Sequence, residues 1–407
     1  MAGPLSHLRV LDLSRVLAGP WCAQTLADLG AEVVKVERPG SGDDTRTWGP
    51  PWAKTPDGEP TRESAYYLCV NRGKRSVTID FERPEGRDLV LRLAETSDVL
   101  IENYKVGGLR KYGLDWEAVR KVNPRLVYCS ITGFGQTGPY AQRAGYDFIV
   151  QGMGGLMSVT GMPAGTPGGE PVKVGVAVAD LFTGMYATVA VLAALAHRDR
   201  TGEGQHIDLA LLDAQVAMMS SQAMNYLVGG RVPGRQGNGH PNIVPYQALP
   251  ASDGQIILAI GNDGQFARFC EIAGRPDVAK DPRFATNPAR VANRDALIGI
   301  LEDITRTRSA KAWVDSLSNA GVPCGPINDL AGVFADPQVQ ARGMRRDLPH
   351  PVAGTVPTVA NPIRYSATPI VHDKAPPLLG ADTDEVLAER LGLTMEQIAA
   401  LRDVGVV

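Results

Sequence analysis

Cysteine is scarce and scattered in this chain. Cys22, Cys69, Cys129, Cys270 and Cys324 form no CxxC pair, so neither a disulfide framework nor a structural zinc site is expected. The six histidines show no HExxH or other paired spacing, which leaves metal catalysis and a histidine-based triad without residues to carry them. There is no GxxxxGK[ST] loop for phosphoryl transfer and no GxSxG nucleophile elbow. The first strand–helix turn reads SRVLAGP, so a dinucleotide pyrophosphate finds no glycine-lined approach there, although Glu37 ends the second strand where a ribose-binding acid would sit. Charge of one sign is not in excess: the net charge is −3, and no nucleic-acid or membrane surface is expected. No apolar run approaches the ~20 residues that span a bilayer, and MAGPLSHLRV has no signal-type apolar stretch. These absences together predict a reduced, cytoplasmic protein with no metal.

What the chain has is length, glycine and proline. Its 407 residues exceed what one hydrophobic core usually organises. Its 45 glycines and 30 prolines imply many loops and close backbone approaches. Short apolar runs at 8–13, 31–37, 76–80, 98–102 and 126–131 read as strands. They alternate with helical stretches at 20–29, 84–96 and 115–122, which predicts an α/β fold with a Rossmann-like parallel sheet. A long helix is expected from Asp180 to about Arg198, and another from 209 to 228. The stretch at 228–245 is rich in glycine and proline and reads as a mobile loop. From 246 the character changes to a strand pair turning at Asp253-Gly254, then several helices. The resulting scheme is a large domain from 1–200, a linker helix at 201–225, a smaller α+β domain at 226–325, a linker at 326–350, and a tail at 351–407.

The chemistry must come from carboxylates, cations and glycines. Arg38 and Arg46 flank KVERPGSGDDTR after the second strand. Arg72, Lys74 and Arg75 precede the third. Lys105, Arg110 and Lys111 follow the fourth. Such positions converge at the ligand edge of a parallel sheet, so the clusters read either as solvated charge or as one polyanion site. Asp180, inside GVAVADLFTGMY, reads as a helix N-cap. The helix dipole would hold it ionised, as a carboxylate nucleophile requires. Cap and nucleophile are compatible readings.

In order, LDLSRVLAGPWCAQTLADLGAEVVKVERPGSGDDTR, NRGKRS, IENY, SITGFGQTGP, RAGYD, GVAVADLFTGMYA and PPLLGADTDEVLAE make the chain resemble the class III CoA-transferases, the formyl-CoA transferase or carnitine CoA-transferase type. GDDTRTWGPP, IVPYQA and GVPCGPIND resemble in particular the succinyl-CoA:glutarate branch. The resemblance implies a Rossmann-like large domain, a smaller α+β domain, and a homodimer with interlocked chains. It also implies transfer of CoA from succinyl-CoA to a short dicarboxylate such as glutarate. Itaconate, mesaconate or sulfinopropionate transfer is an alternative, and α-methylacyl-CoA racemisation is one from another reaction class. Coenzyme A would be a co-substrate, with an acyl-CoA and a small carboxylic acid as the partners and no further cofactor.

Carried residue by residue, the resemblance makes Asp180 the nucleophile. CoA contacts fall on Leu17, Ala18, Arg38, Asn71, Arg72, Lys74, Asn103, Tyr104, Lys105, Lys111, Tyr146 and Asp147. Arg143 stands in for a basic residue that Ala144 lacks. Gly237, Asn238, Gly239 and His240 correspond to a mobile lid that would offer N–H groups to an oxyanion. Arg46 or Arg72 is expected to bind the distal carboxylate of a diacid.

Overall fold

The computed structural model describes residues 3–371 and 373–407. They form two compact units. One comprises residues up to Leu156, Val174–Ala223 and Pro337–Val407, the other Met157–Lys173 and Met224–Asp336.

The first unit is built on six parallel strands: β1 (Arg9–Asp12), β2 (Glu32–Glu37), β3 (Lys74–Thr78), β4 (Val99–Glu102), β5 (Val127–Thr132) and β6 (His206–Ala210). Their spatial order is β3-β2-β1-β4-β5-β6, with every pairing parallel. This is the Rossmann order, and it reverses direction between β1 and β4. Strands in such a sheet are covered on both faces, which is why they appear as unbroken apolar runs. Val10, Val33, Val99, Ile101, Val127, Cys129 and Ile131 face one layer. That layer contains α1 (Ala18–Asp28) and the long helix Val178–Thr201. Leu11, Val34, Val77, Leu100 and Tyr128 face the other, made of α2 (Pro84–Glu95), α3 (Trp116–Val122) and the C-terminal helices Thr383–Leu391 and Met395–Asp403. We label Asp147–Met153 α4, Val178–Thr201 α5 and Leu211–Met218 α6.

Three sequence expectations need correction. Residues 206–210 are not linker helix: HIDLA pairs with β5 from Tyr128↔His206 to Thr132↔Ala210, so tertiary pairing overrides the helix-forming sequence that follows. Residues 157–173, expected in the large domain, belong to the second unit. Helix α5, with 24 residues, is long and apolar enough by composition to cross a membrane, contrary to the expectation that no run is. Within the fold one side of it, including Ala179, Thr183, Gly184, Ala187 and Val191, is buried. Gly184 is required there: a Cβ would lie 2.7 Å from the Ala18 carbonyl oxygen. The glycine therefore lets α5 lie against the start of α1, and Asp180 sits one turn earlier.

The second unit has its own core. An antiparallel hairpin, Tyr246–Ala251 and Gly254–Ala259, is extended by Cys324–Pro326. Helices Asp263–Ile272, Arg294–Thr305 and Ala310–Asn319 pack on it through Phe266, Phe269, Leu297, Leu301 and Trp313.

Candidate active site

The carboxyl ends of β1, β2 and β4 face the point where the strand order reverses, and two cavities open there. The larger, of about 400 Å³, is lined by Arg38, Lys105 and Lys111 together with Arg15, Phe81 and Tyr112. The smaller, of about 190 Å³, is lined by Leu17, Ala18, Asn103, Arg143, Tyr146 and Asp180. Arg15, Asp44, Tyr104 and Lys105 line both. The expected contacts Arg38, Leu17, Ala18, Asn103, Tyr104, Lys105, Lys111, Arg143, Tyr146 and Asp180 are thus brought to one connected region.

Asn71, Arg72, Lys74 and Arg46 are not brought there. Arg72 is buried and grips Asp28 with Nε and Nη2 at 2.8 and 2.6 Å. Lys74 Nζ donates to Asp12, to Asn71 Oδ1 and to the Pro20 carbonyl. Arg46 donates to both Glu37 oxygens at 2.7 Å, to the Tyr67 hydroxyl at 2.6 Å and to the Pro377 carbonyl. Its Nη1 turns to Glu63 at 3.8 Å, and Arg46 lines neither cavity. Lys74 and Asn71 belong to the buried floor of the site and Arg46 and Arg72 to internal ion pairs, and their types and spacing could not distinguish those tasks from ligand binding.

The floor is a chain of buried charges. Lys35 Nζ pairs with Asp43 at 2.9 Å and donates to the Ser14 carbonyl at 2.7 Å. Burial would raise the Asp43 carboxyl, but Lys35 and the Thr45 donors hold it down at about 2. Burial lowers the Lys74 ammonium to about 8 despite Asp12. Asp43 in turn accepts from the Val16 backbone N–H at 3.3 Å. Val16 has φ +70°, a left-handed conformation that costs a β-branched residue about 1–3 kcal/mol. Asn103 clasps the neighbouring Arg15 backbone, accepting at 2.9 Å and donating at 2.6 Å. The strained turn Ser14–Leu17 is therefore held open against the cavity by ion pairs and by the loop after β4.

Asp180 is the third residue of α5, and the cap position belongs to Ala177. This corrects the N-cap reading. The cap comes from Asp147 on α4, whose Oδ1 accepts from the backbone N–H groups of Ala179 at 2.8 Å and Asp180 at 3.4 Å. Asp147 is accordingly a partner of the helix start. The expectation that the dipole keeps Asp180 ionised is also reversed: burial, then the charge of Asp147, push its carboxyl up to about 7. Tyr66 was missed by sequence reasoning. Burial, and next the charge of Asp180, push its phenol up to about 12, which places it within electrostatic reach of the carboxylate. It also packs edge-on against Trp48, at 5.1 Å between ring centroids.

The loop between β5 and α4 brings Arg143 and Asp147 to the site. It begins GFGQTG, a GxGxxG spelling after a strand, yet no helix opens there. The glycines serve instead for close approach: a Cβ on Gly145 would lie 2.5 Å from the Gly133 Cα. Arg143 lies over the rings of Tyr140 and Phe134 at 4.5 and 5.4 Å. Among the described residues it has no carboxylate partner. In the second unit, Gly237 (φ +58°) donates to the Gly161 carbonyl, Gly239 to that of Gln236 and His240 to that of Tyr246. Those N–H groups are not free for an oxyanion in this conformation.

A crevice at the reversal point of a parallel sheet, with Arg15, Arg38, Lys105 and Lys111 among carboxylates on its walls and a carboxylate of raised pKa at its end, is where such a fold takes a ligand. The sequence model of CoA-transferase family III matches residues 5–383. The chain belongs to this family and is a class III CoA-transferase. It is 55% identical over 386 residues, 95% of each chain, to the succinate–glutarate CoA-transferase of Agrobacterium fabrum. It is 44% identical over 404 residues, 99% of this chain and 90% of the other, to the succinyl-CoA:glutarate CoA-transferase of Homo sapiens. The crystal structure of a CAIB/BAIF family protein from Brucella suis superposes with a TM-score of 0.85 at 53% identity, covering 96% of this chain and all of that one.

The two kinds of arginine are separable by experiment. Arg38→Ala should leave the melting temperature unchanged and raise KM for the acyl-CoA about tenfold, the effect of one lost charge-assisted hydrogen bond. Arg72→Ala strands Asp28 and should cost about 3–5 kcal/mol in urea unfolding, with little change in KM. A stable Arg72 variant with weakened CoA binding would return Arg72 to the ligand.

Proposed function

We propose that this enzyme moves CoA from succinyl-CoA to a short dicarboxylate such as glutarate, with Asp180 as the covalent carrier. The observation that carries the reading is the connection of the Asp180 cavity to the cation-lined one through Arg15, Tyr104 and Lys105. The substrates named for the relatives above give the acids.

Arg38, Lys105 and Lys111 take the phosphate end of CoA. The pantetheine passes Leu17 and Ala18. An Asp180 oxygen attacks the thioester carbonyl carbon, the C–S bond breaks, and CoA leaves as thiolate with the electron pair. The product is an aspartyl–succinyl anhydride. The thiolate then attacks the Asp180 Cγ, releasing succinate and leaving CoA on Asp180 as a thioester. The acceptor carboxylate attacks the same carbon, and the thiolate returns to the acceptor's carbonyl. One thioester is made for each broken, and covalent catalysis divides the exchange into easier steps. Every intermediate is hydrolysable, so water must be kept out. The resemblance gives that role to the stretch Gly237–His240, whose N–H groups would first have to leave the carbonyls of Gly161, Gln236 and Tyr246.

With Arg46 and Arg72 committed to internal carboxylates, Arg143 is the cation that fits the acceptor's distal carboxylate. It lines the Asp180 cavity and stacks on rings without a carboxylate partner.

We further propose the interlocked homodimer. Exposed apolar side chains on each unit support it: Phe148, Val189 and Val216 on the first, Leu227, Val228 and Leu330 on the second. Such residues in number mark buried contact surface.

Incubation with succinyl-CoA, followed by mass spectrometry, should find CoA attached to the peptide bearing Asp180, and Asp180→Ala should abolish transfer to glutarate. An active Asp180→Ala enzyme would remove the mechanism. Arg143→Ala should lower kcat/KM for glutarate at least tenfold more than for a monoacid of similar length. Equal losses would free Arg143 of the role. Sedimentation of the chain as a monomer at micromolar concentration would refute the dimer.

A further inference from the structure

We propose that Asp147 is the positioning residue of the nucleophile: it fixes the first turn of α5 from outside and sets the Asp180 carboxylate against a second negative charge. This rests on Asp180 being the nucleophile.

The geometry is a clamp from α4 onto the segment that carries Asp180. Asp147 Oδ1 accepts from the Ala179 and Asp180 backbone N–H groups. Its Oδ2 accepts from Gln151 Nε2 at 2.6 Å. The Gln151 carboxamide oxygen, one turn along α4, accepts from the Val174 N–H at 2.9 Å. Val174 and Asp180 are thus both tied to α4, and Ala177, which sits at the cap position, supplies no side-chain acceptor. The two carboxylates are treated unequally. Asp147 receives two backbone donors and an amide. Among the described residues the Asp180 carboxylate receives none.

Charges of both signs surround the Asp180 carboxylate. Arg15, Lys105 and Arg143 line the Asp180 cavity, with Asp44, Tyr104 and Tyr146. Tyr66, on the helix Ala65–Leu68, lies within electrostatic reach of Asp180. Burial raises the Asp180 carboxyl, and the charge of Asp147 adds to it in the same direction. Once ionised, Asp180 in the unacylated enzyme stands beside the charge of Asp147. Attack on the thioester removes the charge of Asp180: an Asp180 oxygen bonds to the acyl carbon, the C–S bond breaks, and the negative charge departs on sulfur. The repulsion is relieved at each acylation and restored when the carboxylate is regenerated. Asp147 thus favours the covalent states without touching substrate.

The test separates charge from capping. Asp180 reacts as carboxylate, so kcat/KM for succinyl-CoA should rise with pH through about 7 in the unaltered enzyme. Asp147→Asn keeps the oxygen acceptor and removes the charge, and its acid limb should move down by about one pH unit or more. Asp147→Glu keeps the charge, and its limb should stay near the original position. The titration of the Asp180 carboxyl, followed by 13C NMR of aspartate-labelled protein and assigned with Asp180→Asn, should fall in step with the limb. Should Asp147→Asn not fold, Asp147→Ser, a neutral capping side chain, gives the same readout. A folded neutral variant whose limb and titration both stay in place overturns the proposal. A titration that falls while the limb does not would uphold the tuning and refute Asp180 as the nucleophile.

Discussion

The buried pairing of Lys35 with Asp43, and of Lys74 with Asp12, is the constraint on which the rest of the site depends. Charges taken out of water repay that cost only when paired and hydrogen-bonded throughout. Here the donors of both lysines reach backbone carbonyls as well as carboxylates. Ser14 links the two pairs, since its carbonyl accepts from Lys35 while its hydroxyl donates to Asp12. The network fixes the exit of β1 from below, and Asp43 reaches up to hold the Val16 N–H. A left-handed valine does not persist unless its surroundings over-determine it. The strain at Val16 and the charge network beneath it form one device that keeps the turn shaped for a ligand before any ligand arrives.

A second arrangement of charge works in the opposite sense. Below the turn every anion faces a cation. At Asp180 an anion faces another anion. The same chain thus uses burial twice, once to strengthen attraction and once to strengthen repulsion, because a low dielectric magnifies both. The fold supplies the separation: Asp12, Lys35 and Lys74 sit on β1, β2 and β3 and Asp43 in the loop after β2, while the opposed carboxylates sit on α4 and α5.

Much of this was legible in the sequence. The five strands of the parallel sheet up to 132 and the helices between them stood out because such a sheet imposes unbroken apolar runs, whereas the hairpin Trp52–Lys54 and Pro60–Ser64 did not. His206–Ala210 did not, since five residues beside a helix-forming stretch carry no signal stronger than their pairing with β5. The cations after β2 and β4, at Arg38, Lys105 and Lys111, were placed well by the topology alone. Arg46, Arg72 and Lys74 were placed badly. Their partners Glu37, Asp28 and Asp12 lie 9, 44 and 62 residues away in the chain, and spacing cannot show that a distant carboxylate has already taken a cation's donors. The helix that carries Asp180 was legible, but its cap was not, for the same reason: Asp147 stands 33 residues upstream. Local sequence reports which groups are present, and long-range pairing decides which remain available.

The backbone contact of Gly133 with Gly145 has a consequence for how such enzymes can change their acceptor. That contact closes one loop carrying both the cation assigned to the distal carboxylate and the acid beside the nucleophile. Neither glycine can gain a side chain without moving both. Preference for a new acid can therefore drift through exchange of Arg143 or Ala141, which line the Asp180 cavity, while the two glycines and Asp147 travel as a unit. A graft that transplants acceptor preference between relatives must take residues 133–147 whole, or it will import recognition and lose reactivity.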